Sequence, residues 1–232
     1  MSITWLPAEE LMRRVSKKLV RPEVALDIGC GIRPQQLIRP LTHVCCEPFE
    51  QYVDHLIEST SNAIDRTYII VKATWSEAVK LFPPKSVDTV FLIDVIEHLD
   101  KADALKLLKT TEVIARKQLV VFTPIGFMPQ RNPDGKDAWG LDGGMWQEHE
   151  SAWSPADFSD SWDIYASKVF HTADHTGKPF DEPFGAFVAI KCINADTLSS
   201  HYLLRVKLSL AGYLNVFLNC FHRAGNKLRK QS

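Results

Sequence analysis

The chain has 232 residues, of which 45% are hydrophobic and 24% are charged, and its 27 Lys and Arg nearly balance its 28 Asp and Glu. These values are typical of a globular domain and exclude a disordered chain, a collagen-like fibre and a polytopic membrane protein. The balanced charge argues against generic nucleic-acid binding, so we expect no nucleic-acid partner. The five Cys include no Cys-x-x-Cys pair. We therefore expect no disulfide framework, no metal, and a cytoplasmic location.

Hydropathy predicts helices that alternate with short apolar strands. The predicted helices cover 8–20, 34–39, 50–58, 75–81 and 101–116. The predicted strands are Val24–Ile28, Val44–Cys46, Tyr68–Ala73, Val87–Ile93, Gln118–Thr123 and a late hairpin of Trp162–Phe170 with Phe184–Lys191. This order predicts an α/β, doubly wound, Rossmann-like fold. Its mostly parallel seven-stranded sheet has an antiparallel edge hairpin and helices on both faces.

Two segments depart from this alternation. Residues 124–153 carry three Trp and several Gly and Pro without a clean period, which predicts a lid or acceptor-binding loop within a domain over 1–196. Residues 197–232 predict an amphipathic helix and a basic tail. Its least polar part, 208–221, is too short to cross a bilayer. It either packs on the domain or on a second subunit of a homodimer, or lies at the inner surface of a membrane.

A glycine turn follows the strand Val24–Ile28, in the stretch VALDIGCGIRPQQ. Glycines there allow positive φ and a close approach of a ligand to the backbone. Glu47 ends the next strand, twenty residues after Asp27, where a carboxylate can accept both hydroxyls of a ribose. The pattern predicts a nucleoside site at the carboxyl edge of the sheet. A dinucleotide fingerprint needs a third glycine where Pro34 stands, which disfavours NAD.

The segments LDIGCG, THVCCE and VDTVFLIDVIEHLDK together resemble the class I S-adenosylmethionine-dependent methyltransferases. The stretches GCGIRPQ and CCEPFEQY resemble, more loosely, methyltransferases found among bacterial surface-polysaccharide enzymes. The resemblance implies S-adenosyl-L-methionine as the cofactor. It places the methionine part on Gly29, Cys30 and Gly31, and the ribose on Glu47.

Further cofactor contacts follow from the same resemblance. It implies Pro48 near the adenine, Asp27 orienting the turn or holding the ammonium through water, and Asp94 and Val95 lining the methionine pocket. The family often has an acid after the third strand, and this chain has none there. Either Thr74 or a backbone group replaces it, with Trp75 near the base, or Thr74 caps a helix and Trp75 belongs to the core.

A hydroxyl acceptor benefits from a general base within hydrogen-bond reach. The candidates are Glu97, His98, Glu148, His149 and His171. We predict that His149 and His98 are catalytic. Two alternatives stay open: His98 is a structural residue bonded to backbone, or His149 is a solvated loop residue.

Other conspicuous side chains also admit two interpretations. Trp139, Trp146 and Trp153 either stack on an acceptor or hold the loop together. His171 and His175 are predicted to lie in a solvated turn.

These expectations give one leading function and two alternatives. The leading function is methyl transfer from S-adenosyl-L-methionine to a hydroxyl, on a small molecule or a sugar of a glycan or glycan precursor. The first alternative is a catalytically silent methyltransferase-like assembly subunit at the membrane surface, suggested by the missing acid and the apolar tail. The second is a Rossmann oxidoreductase.

Overall fold

The structure is a computed structural model and describes residues 2–193. The predicted C-terminal helix and basic tail, 197–232, lie outside the described residues. Four α-helices are present in the described part: α1 (Ala8–Ser16), α2 (Glu50–Thr60), α3 (Trp75–Leu81) and α4 (Lys101–Ile114). The strands are β1 (Ile3–Trp5), β2 (Val24–Ile28), β3 (Thr42–Glu47), β4 (Thr67–Lys72), β5 (Val87–Ile93), β6 (Ala115–Pro124), β7 (Asp163–Ala173) and β8 (Pro179–Cys192).

These strands form one mixed sheet in the order β1-β7-β8-β6-β5-β2-β3-β4. Strands β4, β3, β2, β5 and β6 run parallel, and β8 pairs antiparallel with both β6 and β7. The predicted fold class and late hairpin are therefore confirmed. The predicted number of strands is wrong, because the sheet of the described residues has eight. The extra strand, β1, pairs parallel with β7 over three residues, too few to show an alternating pattern.

Helices cover both faces of the sheet. On β2, Ala25 packs in one cluster with Leu11 and Val15 of α1. The alternate residue Leu26 packs in another cluster with Leu107 of α4. Successive strand residues point to opposite faces, so α1 and α4 lie on different sides. This burial on both faces explains why the parallel strands are almost continuously apolar.

One predicted helix is wrong, and another is shorter than predicted. Residues 34–39 form bends without a helix, although the glycine turn favoured one. Pro34 and Pro40 flank the segment, and the N–H of Gln35 donates to the Asp27 carboxylate at 2.8 Å, outside any helical ladder. Helix α1 ends at Ser16, before the predicted end at residue 20.

Helix caps agree with the sequence where a full helix follows. Thr74 caps α3, as one of its two interpretations predicts, and forms a capping box with Glu77. Asp100 accepts from two backbone N–H groups at the start of α4. The Ser154 cap, in contrast, begins only a short 3₁₀ turn, Pro155–Asp157. Within residues 2–193, no helix has the length and apolar character needed to cross a membrane.

Candidate active site

The carboxyl ends of β2, β3 and β5 meet at one edge of the sheet, because the three strands run parallel. Two cavities open along this edge, of about 420 Å³ and 440 Å³. We call them the nucleoside cavity and the acceptor cavity. Four residues line both of them: Gly29, Asp94, His98 and Gln147. The cavities therefore meet at the glycine turn and the segment that follows β5.

Every residue predicted to contact the cofactor lines one of these cavities. The nucleoside cavity takes Gly29, Glu47, Pro48, Thr74, Trp75, Asp94 and Val95. The acceptor cavity takes Asp27, Gly29, Cys30, Gly31 and Asp94. Residues that are distant in sequence are thus brought to one edge, as the nucleoside-site prediction requires. Their contacts with a cofactor stay a prediction.

The glycine turn has the backbone that only glycine adopts freely. Gly29 and Gly31 have φ of +68° and +55°. A Cβ on Gly29 would lie 3.0 Å from Cγ2 of Val95, and a Cβ on Gly31 would lie 3.2 Å from the Trp139 ring. The turn is therefore both strained for other residues and closely packed. It leaves backbone exposed to the cavities where a side chain would block them.

Asp27, at the end of β2, is bonded to the segment that follows this turn. Its Oδ2 accepts from the N–H of Gln35 at 2.8 Å and lies 3.1 Å from Nε2 of His43. The carboxylate is almost fully buried, yet it borders the acceptor cavity. These contacts tie Asp27 to the segment after the turn and to the next strand, and both predicted roles of Asp27 stay predictions.

Glu47 is held in a fixed position by the backbone. Its Oε2 accepts from the N–H of Gly31 at 3.0 Å, and its Oε1 accepts from the N–H of Phe49 at 3.1 Å. Each oxygen keeps a second lone pair that can accept from a ribose hydroxyl. Burial raises the pKa of Glu47 to about 7, despite the opposing effect of the two N–H donors. A ligand that donates two hydroxyls would compensate this desolvation.

At the far side of the nucleoside cavity, Thr74 acts as a helix cap. Its Oγ1 donates to the Glu77 carboxylate at 2.8 Å and accepts from the Glu77 N–H at 3.3 Å. Trp75 is half-buried and packs against the main core cluster. Thr74 is therefore a helix cap and Trp75 packs on the core, as the second interpretation of these residues predicts. Because both also line the cavity, they can still contact an adenine ring through backbone and ring surfaces.

Two carboxyl groups adjoin where the cavities meet. Asp94 has φ of +52°, a left-handed conformation that is uncommon for residues other than glycine. Its side chain is exposed to the cavities, and desolvation by the surrounding chain raises its pKa to about 6. Glu97 is 2% exposed, and its Oε2 accepts from the Thr123 hydroxyl at 3.0 Å. Burial, and secondarily the charge of Asp94, raise the pKa of Glu97 well above its ordinary value.

The two predicted catalytic histidines lie together. Their ring centroids are 4.8 Å apart. Nδ1 of His98 lies 3.0 Å from the Glu148 carbonyl oxygen, and Nδ1 of His149 lies 2.6 Å from the Met128 carbonyl oxygen. Because a carbonyl only accepts, each Nδ1 must carry a hydrogen, and each neutral ring keeps its lone pair on Nε2. Burial lowers the pKa of both rings, that of His98 to about 4.

Residues 124–153 carry His149 to this position. The loop is fixed at its ends by a bridge between Gly126 and Trp153. Trp153 is fully buried, and its Nε1 donates to the Ile96 carbonyl at 3.1 Å, so it holds the loop together instead of stacking on a ligand. Trp139 lies against the glycine turn and lines the acceptor cavity. Trp146 is partly exposed at the nucleoside cavity. The lid role of the loop stays a prediction.

Three expectations about this region need correction. His149 is 4% exposed, so it is not a solvated loop residue. His171 and His175 are half-buried and line the acceptor cavity, because β7 and its hairpin turn fold back over the site. Glu148 lines neither cavity, since its carboxylate bonds Arg131 and the backbone of residue 132.

Sequence reasoning missed Gln147, which lines both cavities. It lies beside His149 in the stretch WQEHE, but nothing in its residue type singles it out.

Solved structures that match this fold include several with low sequence identity. TehB from Haemophilus influenzae is 13% identical, with a TM-score of 0.53, over 78% of this chain and 61% of that chain. This chain therefore spans less than two thirds of that protein. A SAM-dependent methyltransferase from Archaeoglobus fulgidus is 17% identical, with a TM-score of 0.45, over 80% of this chain and 95% of that chain. Magnesium protoporphyrin IX methyltransferase from Synechocystis PCC 6803, with bound SAH, is 13% identical, with a TM-score of 0.48, over 79% and 80%.

No family model and no curated protein matches the sequence. At sequence identities this low, the structural matches show only the fold. The chain has the fold of the class I S-adenosylmethionine-dependent methyltransferases, as the sequence motifs predict.

Proposed function

We propose that this chain is an S-adenosyl-L-methionine-dependent methyltransferase that acts on a hydroxyl group, on a sugar of a glycan or glycan precursor. The observation that carries the proposal is the meeting of the two cavities. They share Gly29, Asp94 and His98, so a cofactor whose nucleoside lies in the first cavity would reach the glycine turn at the edge of the second with its methionine part, beside an acceptor bound there. Methyl transfer needs this in-line approach of donor and acceptor.

The residues present suit S-adenosyl-L-methionine. The backbone at Gly29 and Gly31 forms a cradle that a Cβ would fill, and Glu47 presents two oxygens for a ribose diol. Pro48 and Trp75 offer apolar surface for an adenine ring. When bound, this cofactor supplies an electrophilic methyl group. The missing third glycine at Pro34 disfavours a pyrophosphate-containing cofactor.

The imidazoles of His98 and His149 support a hydroxyl acceptor. Both rings stay neutral near pH 7 and keep their Nε2 lone pairs, so either can accept the hydrogen bond of an acceptor hydroxyl. That hydrogen bond aims an oxygen lone pair toward the junction of the cavities. The hydroxyl proton becomes strongly acidic as its oxygen acquires a methyl group, so even an imidazole of low basicity can take it at Nε2.

The lining of the acceptor cavity favours a carbohydrate. Trp139 and Phe180 offer aromatic surface, while Arg33, Gln130 and Asp174 offer donors and acceptors around it. Sugars present apolar ring faces and a rim of hydroxyls, which match such a mixed lining.

The proposal is tested in two steps. Calorimetry should show that S-adenosylhomocysteine binds and that NAD does not. The chain is then incubated with methyl-labelled cofactor and a panel of oligosaccharides, sugar nucleotides and polyols, followed by mass spectrometry of the products. We expect label on oxygen of a carbohydrate, with turnover reduced at least tenfold in His149→Ala and unchanged in His55→Ala, an exposed histidine on α2. Label on nitrogen or carbon only would contradict the proposed acceptor.

A further inference from the structure

The side chains of Glu97, His98 and His149 lie together, and both histidines line the acceptor cavity. One ligand atom from each lies within 4.8 Å of one from each of the others. Cations of the first transition series hold nitrogen and oxygen ligands at about 2.0–2.2 Å, so small side-chain rotations would close this set around one ion. Two imidazoles and a carboxylate form a donor set typical of such cations.

Hydrogen bonds fix the orientation of both imidazole rings. The Nδ1–H groups of His98 and His149 donate to the carbonyls of Glu148 and Met128. Among residues 2–193, no side-chain hydrogen bond engages Nε2 of either ring. Metal-binding histidines commonly donate their second nitrogen to a backbone carbonyl, which fixes the tautomer and the ring plane.

The carboxylate provides an independent observation. Oε2 of Glu97 accepts from Thr123, and Oε1 is buried without an N–H or hydroxyl donor within the described part of the chain; the Asp94 carboxyl group adjoins that of Glu97 and can satisfy it only by sharing a proton. A buried carboxylate oxygen without a partner is costly unless a donor or a cation satisfies it.

Backbone contacts fix the loop against this group. The Glu97 carbonyl accepts from the N–H groups of Glu150 and Ser151 at 2.8 and 3.1 Å. These bonds hold His149 in register with Glu97 and His98. The arrangement is therefore built by the fold and does not depend on one flexible side chain.

We propose that Glu97, His98 and His149 bind a divalent transition-metal cation whose open positions face the acceptor cavity. The expectation of no metal rested on cysteine spacing, and these ligands have no such spacing, since 51 residues separate the two histidines. A second group of the described residues, Asp27 with His43 and Cys45, has comparable spans. There the Asp27 oxygen is already bonded to His43 and to backbone, while Nδ1 of His43 is buried without a hydrogen-bond partner among the described residues, so a Cys45 variant serves below to test that group.

The role of the cation rests on the proposed function. An acceptor hydroxyl oxygen bound to the ion would lose its proton more readily, because the positive charge stabilises the alkoxide. The O–H electron pair stays on the oxygen and the proton passes to water in the acceptor cavity. His98 and His149 then act as ligands, and neither is needed as the proton acceptor.

The test is a binding measurement on the full chain without a polyhistidine tag, after treatment with EDTA and desalting. Zn²⁺, Mn²⁺ and Mg²⁺ are titrated separately by calorimetry. We expect one equivalent of Zn²⁺, with Mn²⁺ weaker. Affinity should fall at least tenfold in His149→Ala and Glu97→Gln. It should be unchanged in the controls His55→Ala and Cys45→Ala.

Absence of binding by the parent, or equal affinity in His149→Ala and Glu97→Gln, would overturn the site. If a variant fails to fold, the Co²⁺ spectrum of the parent decides: thiolate charge-transfer bands would assign the ion to Cys45 and overturn the proposal, and their absence supports it. Methylation that is insensitive to EDTA would remove the catalytic role and leave the proposed function intact. Conversely, cation and S-adenosylhomocysteine binding without any methylated product would count against the proposed function alone.

Discussion

We expect the affinity for the cofactor to change with pH mainly because one buried carboxyl group titrates. Burial raises the pKa of Glu47 to about 7. Its carboxyl group is then ionised to about one tenth at pH 6 and about nine tenths at pH 8. Only the ionised form would be able to accept from two ribose hydroxyls while still accepting from the N–H groups of Gly31 and Phe49. We therefore expect the dissociation constant of S-adenosylhomocysteine to rise about tenfold between pH 8 and pH 6.

Glu47→Gln is the variant that isolates this group. The amide keeps the size of the side chain but has one oxygen, so it cannot accept from two hydroxyls and two backbone donors. Loss of a charge-assisted bond costs about 1.5–3 kcal/mol, which corresponds to an affinity about ten to a hundred times weaker at pH 8. The variant should also lose most of the change between pH 6 and pH 8. Any change that persists belongs to groups other than Glu47, namely Asp94, whose pKa is raised to about 6, and the amino group of the ligand, which are present with both proteins.

The variant is expected to fold, because two effects on stability oppose each other. The raised pKa means that the folded protein holds the Glu47 proton more tightly than the unfolded chain does. Protonated Glu47 therefore contributes fully to the free energy of unfolding below about pH 4.5. This contribution, up to about 3 kcal/mol, is lost as the pH rises through about 7. Glu47→Gln removes that loss, while one backbone N–H loses its acceptor at a cost of about 1–3 kcal/mol.

Calorimetry at pH 6, 7 and 8 and constant ionic strength provides the affinities, with thermal melts of both proteins as the control for folding. A folded Glu47→Gln protein that binds as tightly as the parent at pH 8 would refute the ribose assignment. A parent whose affinity changes with pH no more than that of the variant would refute the role given to ionisation.

Three further predictions concern the turn and the loop. Gly31→Val should abolish S-adenosylhomocysteine binding, because the φ of residue 31 is +55° and a Cβ there would lie 3.2 Å from Trp139. The control Gly135→Asn lies at an open position with φ of +75°, so calorimetry should show normal binding. The loop 124–153 should resist limited proteolysis better with S-adenosylhomocysteine and acceptor than without them, because closure excludes water, and equal cleavage would argue against a lid. Trp153→Ala should lower the free energy of unfolding by about 3–5 kcal/mol in urea titrations, since it empties a fully buried position.

The parallel part of the sheet was predictable because its signals are local. Apolar runs such as Val87–Ile93 are buried on both faces, and the structure gives this strand the predicted bounds. The turn at Gly29 and the acid at Glu47 follow such runs directly, so their positions at the sheet edge follow from strand direction alone. The Thr74 capping box is local in the same sense, since its two partners are three residues apart.

The features that were mispredicted depend on partners far along the chain. Strand β1 exists through its pairing with β7, about 160 residues away, and its three residues have no pattern of their own. The helix predicted over 34–39 does not form. The Gln35 N–H donates to the Asp27 carboxylate instead, and local helix propensity does not account for such a bond. His171 follows a strand with no ligand cluster near it in sequence, which predicts a solvated turn, whereas the hairpin folds it over the acceptor cavity.

The positions of Glu97 and His149 show how the loop and the sheet edge together form the candidate centre. The segment after β5 forms only a single 3₁₀ turn, Ile96–His98, which leaves the Glu97 carbonyl without a partner inside the turn. It accepts instead from the N–H groups of Glu150 and Ser151. Because these donors directly follow His149, the bonds that satisfy the backbone also set the imidazole beside the carboxylate. A loop anchored in this way can vary in the part that lines the acceptor cavity while the histidine keeps its place. We therefore expect substitutions at Gln130 to change acceptor preference, and Ser151→Pro, which removes the donating N–H, to lower turnover with every acceptor.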